Sequence, residues 1–143
     1  MTAELAVGEV VAEAVFALSR DSLVRYAGAS GDFNPIHYRD DIAVSVGLPG
    51  VLAHGILTMG IAVQPVVDWI GDPGKVVDYQ VRFTRPVLVP ADRSVDVRVV
   101  AKVGQLDSEA DVARIDLTVT ISDPETGATT TVLGKAQARV SLA

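Results

Sequence analysis

Residues 55–70 read Gly55-Ile56-Leu57-Thr58-Met59-Gly60-Ile61-Ala62-Val63-Gln64-Pro65-Val66-Val67-Asp68-Trp69-Ile70. On a helical period the apolar residues of this stretch fall on almost every side. A helix apolar all round has to be enclosed by protein. Gly60, Gln64, Pro65 and Asp68 interrupt it, and it is too short to span a bilayer. Pro65 removes one backbone donor and is expected to kink the helix or limit its regular part.

What encloses the helix is legible downstream. In residues 76–83, Val77, Tyr79, Val81 and Phe83 alternate with Val76, Asp78, Gln80 and Arg82. Val95, Val97, Val99, Ala101 and Val103 alternate with Asp96, Arg98, Val100 and Lys102. Ile115, Leu117, Val119 and Ile121 oppose Arg114, Asp116, Thr118 and Thr120. Val132, Gly134, Ala136, Ala138 and Val140 oppose Thr131, Leu133, Lys135, Gln137 and Arg139. Runs of period 2 with one wet face predict an antiparallel sheet. The cluster Asp123-Pro124-Glu125-Thr126-Gly127 predicts a hairpin between the last two. An earlier strand is expected over Val10 to Leu18.

Upstream of the apolar helix, Ser19 is a candidate N-cap for a short helix through Tyr26. Gly28 to Pro35 reads as a loop. Asp40 to Val46 reads as a second short helix, stopped by Gly47 and Pro49. The expected fold class is α+β, with one antiparallel sheet wrapped around one central helix. Five strands cannot cover every side of that helix, and an open sheet leaves edges. Pairing with a second copy or a related chain is therefore expected.

With 143 residues, one domain over 1–143 is expected. The formal net charge of −6 argues against a general nucleic-acid binder. The chain has no cysteine, which excludes a disulfide framework, a Cys nucleophile and a thiolate metal site. The start, Met1 to Glu9, lacks the basic and apolar regions of a secretory signal. A cytoplasmic protein with no membrane insertion is the simplest expectation.

The unusual chemistry sits in Gly31-Asp32-Phe33-Asn34-Pro35-Ile36-His37. Pro35 disfavours the α region for Asn34, so Asp32 and His37 lie on either side of a rigid turn. From there a carboxylate and an imidazole can converge on one water and exchange protons with it. Catalysis of that kind is worth roughly 10²–10⁴-fold. The competing reading is a turn in which Asp32 and Asn34 cap backbone amides. His54-Gly55 opens the apolar helix. A glycine there lets a ligand approach amides at the positive end of the helix dipole, a site for a developing oxyanion. For His54 itself, a hydrogen bond to a neighbouring loop is the expected role. Two histidines lack a third ligand at metal spacing, and Asp32 would supply one only by coincidence. No phosphate-binding glycine loop or nucleophile elbow is present, so neither metal nor organic cofactor is expected. Arg82, Arg85, Arg93, Arg98 and Lys102 read as a solvated sheet face.

The stretch from Tyr26 to Ala43, carrying Gly31-Asp32-x-Asn34-Pro35-Ile36-His37, resembles the hydratase motif of MaoC-like hot-dog proteins. That family includes (R)-specific enoyl-CoA hydratases and (3R)-hydroxyacyl-acyl-carrier-protein dehydratases. The resemblance continues through Ala53 to Gly60, Trp69 to Gly74 and Val81 to Thr84. It implies a hot-dog fold with Asp32 and His37 as the catalytic pair. It implies that the Gly55 amide binds the thioester carbonyl and that Asn34 contributes to substrate binding. It also implies a homodimer, or a heterodimer with a related non-catalytic hot-dog subunit. The implied substrate is an acyl-CoA or acyl-carrier-protein thioester. Some relatives carry a serine eight residues after the glycine; here that position is Val63. A hot-dog thioesterase and a non-catalytic partner subunit are the rival readings.

Overall fold

A computed structural model describes residues 4–143. Met1, Thr2 and Ala3, on which the reading of the N-terminus partly rests, lie outside the described residues. The chain runs β1 (Val10–Leu18), α1 (Arg20–Ser30), a 3₁₀ turn (Pro35–His37), α2 (Asp40–Ser45) and α3 (Gly55–Ile70). A second 3₁₀ turn (Pro73–Lys75) leads to β2 (Val76–Phe83), β3 (Val95–Asp107), β4 (Val112–Ser122) and β5 (Thr129–Ser141). The strands form one antiparallel sheet in the order β1-β3-β4-β5-β2. Helix α3 packs against all five. This is the hot-dog arrangement, with the sheet curled around α3.

The alternation places the core as expected in the central strands. Val97, Val99, Ala101 and Val103 of β3 are buried, as are Ile115 and Val119 of β4. Each aliphatic side chain of that size contributes about 1.5–3 kcal/mol on burial. The edge strand β2 is different. Val77 and Phe83, expected on its apolar face, are 58% and 55% exposed; the register against β5 shifts at Val77, and Val76 joins Tyr79 toward α3 instead. The basic residues Arg82, Arg85, Arg93, Arg98 and Lys102 are all exposed, the solvated role expected of them.

Three local expectations are corrected. Leu133, expected on the wet face of β5, is buried beside Val132. A β-bulge shifts the register of β5 against both β4 and β2 here, and Lys135 has φ +44°. One extra residue moves the following side chains to the other face. Helix α1 does not stop at Tyr26; it continues through Gly28 to Ser30. Its stop signal is Gly31, with φ +77° and its N–H donated to the Ala27 carbonyl at 2.9 Å. Pro65 does not end α3, which runs unbroken to Ile70 with Pro65 on the buried side.

The buried side of α3 consists of Thr58, Ala62, Pro65 and Val66. On the opposite side Ile56, Gly60, Gln64 and Asp68 recur every fourth residue, and all four are exposed. Together with β2, this face lines an open cavity of about 430 Å³ that includes Met59, Val63, Val67 and Tyr79. The five strands leave that side uncovered, as their number implied.

Candidate active site

The segment between β1 and α3 folds over one end of α3. An ion pair fastens it. Arg20 donates to the Val89 carbonyl and to both carboxylate oxygens of Asp40. Asp40 Oδ1 also accepts the Val51 amide at 3.0 Å. That amide and the Arg20 guanidinium hold the Asp40 carboxyl below its ordinary pKa. Ala43, on the inner side of α2, is fully buried.

Within this segment the 31–37 loop is built from its own side chains. The Ser30 hydroxyl accepts the Asp32 amide. Asp32 Oδ1 accepts the Asn34 amide at 3.1 Å, and Asn34 Oδ1 accepts the Ile36 amide at 3.2 Å. Asn34 is extended, with φ −58° and ψ +123°, as its place before Pro35 requires. The capping turn is therefore real. It consumes one oxygen of Asp32 and leaves the other, Oδ2, facing His37.

His37 is buried, while the Asp32 side chain remains 51% exposed. Their closest atoms, His37 Nε2 and Asp32 Oδ2, lie 4.0 Å apart. His37 Nδ1 sits 2.7 Å from the Leu52 carbonyl, which can only accept. The proton of a neutral His37 is thereby placed on Nδ1, and Nε2 presents a lone pair. Two acceptors then face one another across a gap too wide for a direct hydrogen bond. A water at ordinary hydrogen-bond length from both would subtend about 90°, close to the angle between its own O–H bonds.

His54 joins them, 1% exposed. Its ring stacks on His37 with centroids 3.8 Å apart and meets the edge of Tyr26 at 4.7 Å. Its Nε2 donates to the Asp32 carbonyl at 3.1 Å. The expected bond to a neighbouring loop is thus present, and the loop is that of Asp32. Burial pushes the His54 pKa below its ordinary value; the nearby His37 acts in the same direction. No motif spacing marked this contact. The adjacency of His54 to Gly55 was the available signal.

Gly55 follows His54 as the first residue of α3. A Cβ there would stand 2.9 Å from the Phe83 ring, so glycine keeps this approach open. A cleft of about 270 Å³ reaches it, lined by Gly55, Thr58, Phe83, Arg85 and Leu133 among others. Asp32, His37 and His54 each offer a ligand atom, and these lie within 4.8 Å of one another. The fold thus supplies the third group that spacing did not show. The set does not suit a metal, because stacked imidazoles project their in-plane lone pairs side by side rather than toward one point.

Residues 3–120 match the family model of the MaoC like domain. The chain belongs to the MaoC-like family. Over 78 residues it is 38% identical to 3-hydroxyacyl-thioester dehydratase X of Mycobacterium tuberculosis, covering 54% of this chain and 27% of that protein. A solved MaoC-like dehydratase superposes with a TM-score of 0.89 at 36% identity, over 98% of this chain and 41% of the other. The (R)-hydratase from A. caviae involved in PHA biosynthesis shares the fold, with a TM-score of 0.78 at 21% identity over 97% of this chain and 98% of that one. The match of this MaoC-like chain thus covers about a quarter of the length of dehydratase X.

Proposed function

We propose that the chain is a hydro-lyase interconverting trans-2-enoyl thioesters and (3R)-hydroxyacyl thioesters. The observation that carries the reading is the pair of facing acceptors, Asp32 Oδ2 and the lone pair on His37 Nε2. A water donating to both presents its oxygen to a β-carbon. In hydration the oxygen bonds to that carbon as one O–H proton passes to the pair. The π electrons move toward the thioester oxygen, and the α-carbon then takes a proton from the pair. The product is the substrate plus one water, with no change of oxidation state, and dehydration retraces the path. The Gly55 N–H, at the N-terminus of α3, meets the negative charge on the thioester oxygen. Asn34 uses its Oδ1 inside the loop, so its amide NH₂ is the part assigned to substrate. These steps need protein groups and water, without a metal or organic cofactor.

The acyl group is carried by coenzyme A or an acyl carrier protein. The chain acts as one hot-dog unit, 1–143, in the cytoplasm. Among the described residues no helix is long and apolar enough to cross a membrane. The uncovered face of α3 with the edge strand β2 is assigned to a second hot-dog subunit, identical or related. Nucleic acid is not a partner on this reading.

Hydration of crotonyl-CoA and of a longer enoyl-CoA tests the function, using the protein alone and with a candidate partner subunit. The expected product is the (R)-3-hydroxyacyl thioester, formed equally in the presence of a chelator. An (S) product, loss of activity with the chelator, or release of free thiol in place of hydration would overturn it.

A further inference from the structure

His54 is buried, and its Nδ1 is the one buried side-chain nitrogen or oxygen without a partner among the described residues. A buried unpaired nitrogen is costly, and a phenylalanine or leucine would fill this space without that cost. What an apolar residue cannot supply is the bond at the other nitrogen, Nε2–H to the Asp32 carbonyl. The other hydrogen bonds made by Asp32 itself are short-range and exposed, to Ser30 and Asn34, while further along the turn the Ile36 carbonyl accepts the Leu52 amide. The His54 bond spans 22 positions and comes from the core. The same ring covers the face of His37, whose in-plane direction is already set by the Leu52 carbonyl.

We propose that His54 is a positioning residue: its Nε2–H pins the Asp32 turn to the core and its ring sets the plane of His37, so that both act on one water. The inference rests on the reading of Asp32 and His37 as the pair that works on water. His54 is held toward its uncharged form in this role, since burial, with the neighbouring His37, opposes its protonation by more than the Asp32 carbonyl and carboxylate favour it. It therefore lies against His37 without repelling a proton that His37 takes up. Residues of α1, the 31–37 loop and α3 surround it, and the groups facing it are Tyr26, His37 and both the carbonyl and the carboxylate of Asp32.

Two substitutions separate donor from ring. His54→Phe keeps a stacking ring and loses the donor; His54→Gln keeps an N–H donor at the same bond count from Cβ and loses the ring. With enoyl-CoA, His54→Phe is expected to lower kcat roughly 10- to 100-fold, the scale of a misplaced reacting group, with KM nearly unchanged. His54→Gln is expected to recover about tenfold of that loss. A His54→Phe enzyme with parental kcat, or a His54→Gln enzyme no faster than it, overturns the proposal. Nitrogen NMR of the imidazoles in the parent gives a test free of activity. A neutral His54 carrying its proton on Nε2 is expected, beside a His37 that carries one on Nδ1. A His54 protonated at Nδ1 overturns the positioning role. If the parent itself hydrates no enoyl thioester, the proposed function fails, and the imidazole spectrum alone decides the role of His54.

Discussion

Asp32 divides its labour between two oxygens. Oδ1 closes the turn on the Asn34 amide, and Oδ2 faces His37. The capping and catalytic readings of this residue are therefore compatible, because the cap aims the second oxygen. Asn34 has the same dual character, and a substitution can split it. Asn34→Asp retains the oxygen that accepts the Ile36 amide and removes the amide NH₂. It is expected to melt like the parent while kcat/KM falls at least about tenfold, the scale of one lost hydrogen bond to substrate. Unchanged kinetics would confine Asn34 to the turn. The pairing of Asp32 with His37 was legible because Pro35 fixes the geometry between them. The third member, His54, was not, since its ring meets His37 only through tertiary packing across residues 37–54.

At the scale of elements, the site depends on how α1 and α2 are held over α3. The Arg20–Asp40 pair and the Val51 amide make that attachment. Asp40 has a lowered folded pKa. Its contribution is present above the unfolded carboxyl pKa, about 4, and is lost as pH falls through the lower folded value. Asp40→Asn is expected to lower Tm near neutral pH and to converge with the parent in strong acid. Equal Tm differences at both pH values, measured by calorimetry, would contradict this role. The strand and helix bounds were legible where one period ran undisturbed, as in Val95 to Val103. They were not where a single residue reset the pattern. Lys135 at positive φ buries Leu133, and Gly31 rather than Gly28 stops α1.

The whole molecule has one face that its own chain does not finish. Ile56 and Gly60 on α3 are exposed, and with Val76 and Tyr79 of β2 they line its open cavity. Sheet order puts β2 at an edge, so its outer backbone groups are also open. A dimer at micromolar concentration is expected by sedimentation. Val63→Glu, which places a charge in the cavity on that face, is expected to shift the protein toward monomer. A parent that sediments as a fully active monomer would count against the subunit assignment. The need for a partner was legible in a helix apolar on almost every side and in too few strands to surround it. The identity of that partner is not encoded in the pattern, because any complementary apolar face satisfies the same burial.

The central claim is that Asp32 and His37 act together on one water. Steady-state hydration of an enoyl-CoA by Asp32→Asn and His37→Ala, with thermal melts on the same samples, tests it most directly. Each variant is expected to lose at least about 10²-fold in kcat. The double variant should be little worse than the poorer single, as groups acting as one unit are strongly non-additive. Asn preserves the oxygen that accepts the Asn34 amide, so Asp32→Asn should melt near the parent. An Asp32→Asn protein that melts like the parent and still hydrates enoyl-CoA at the parental rate would contradict the account.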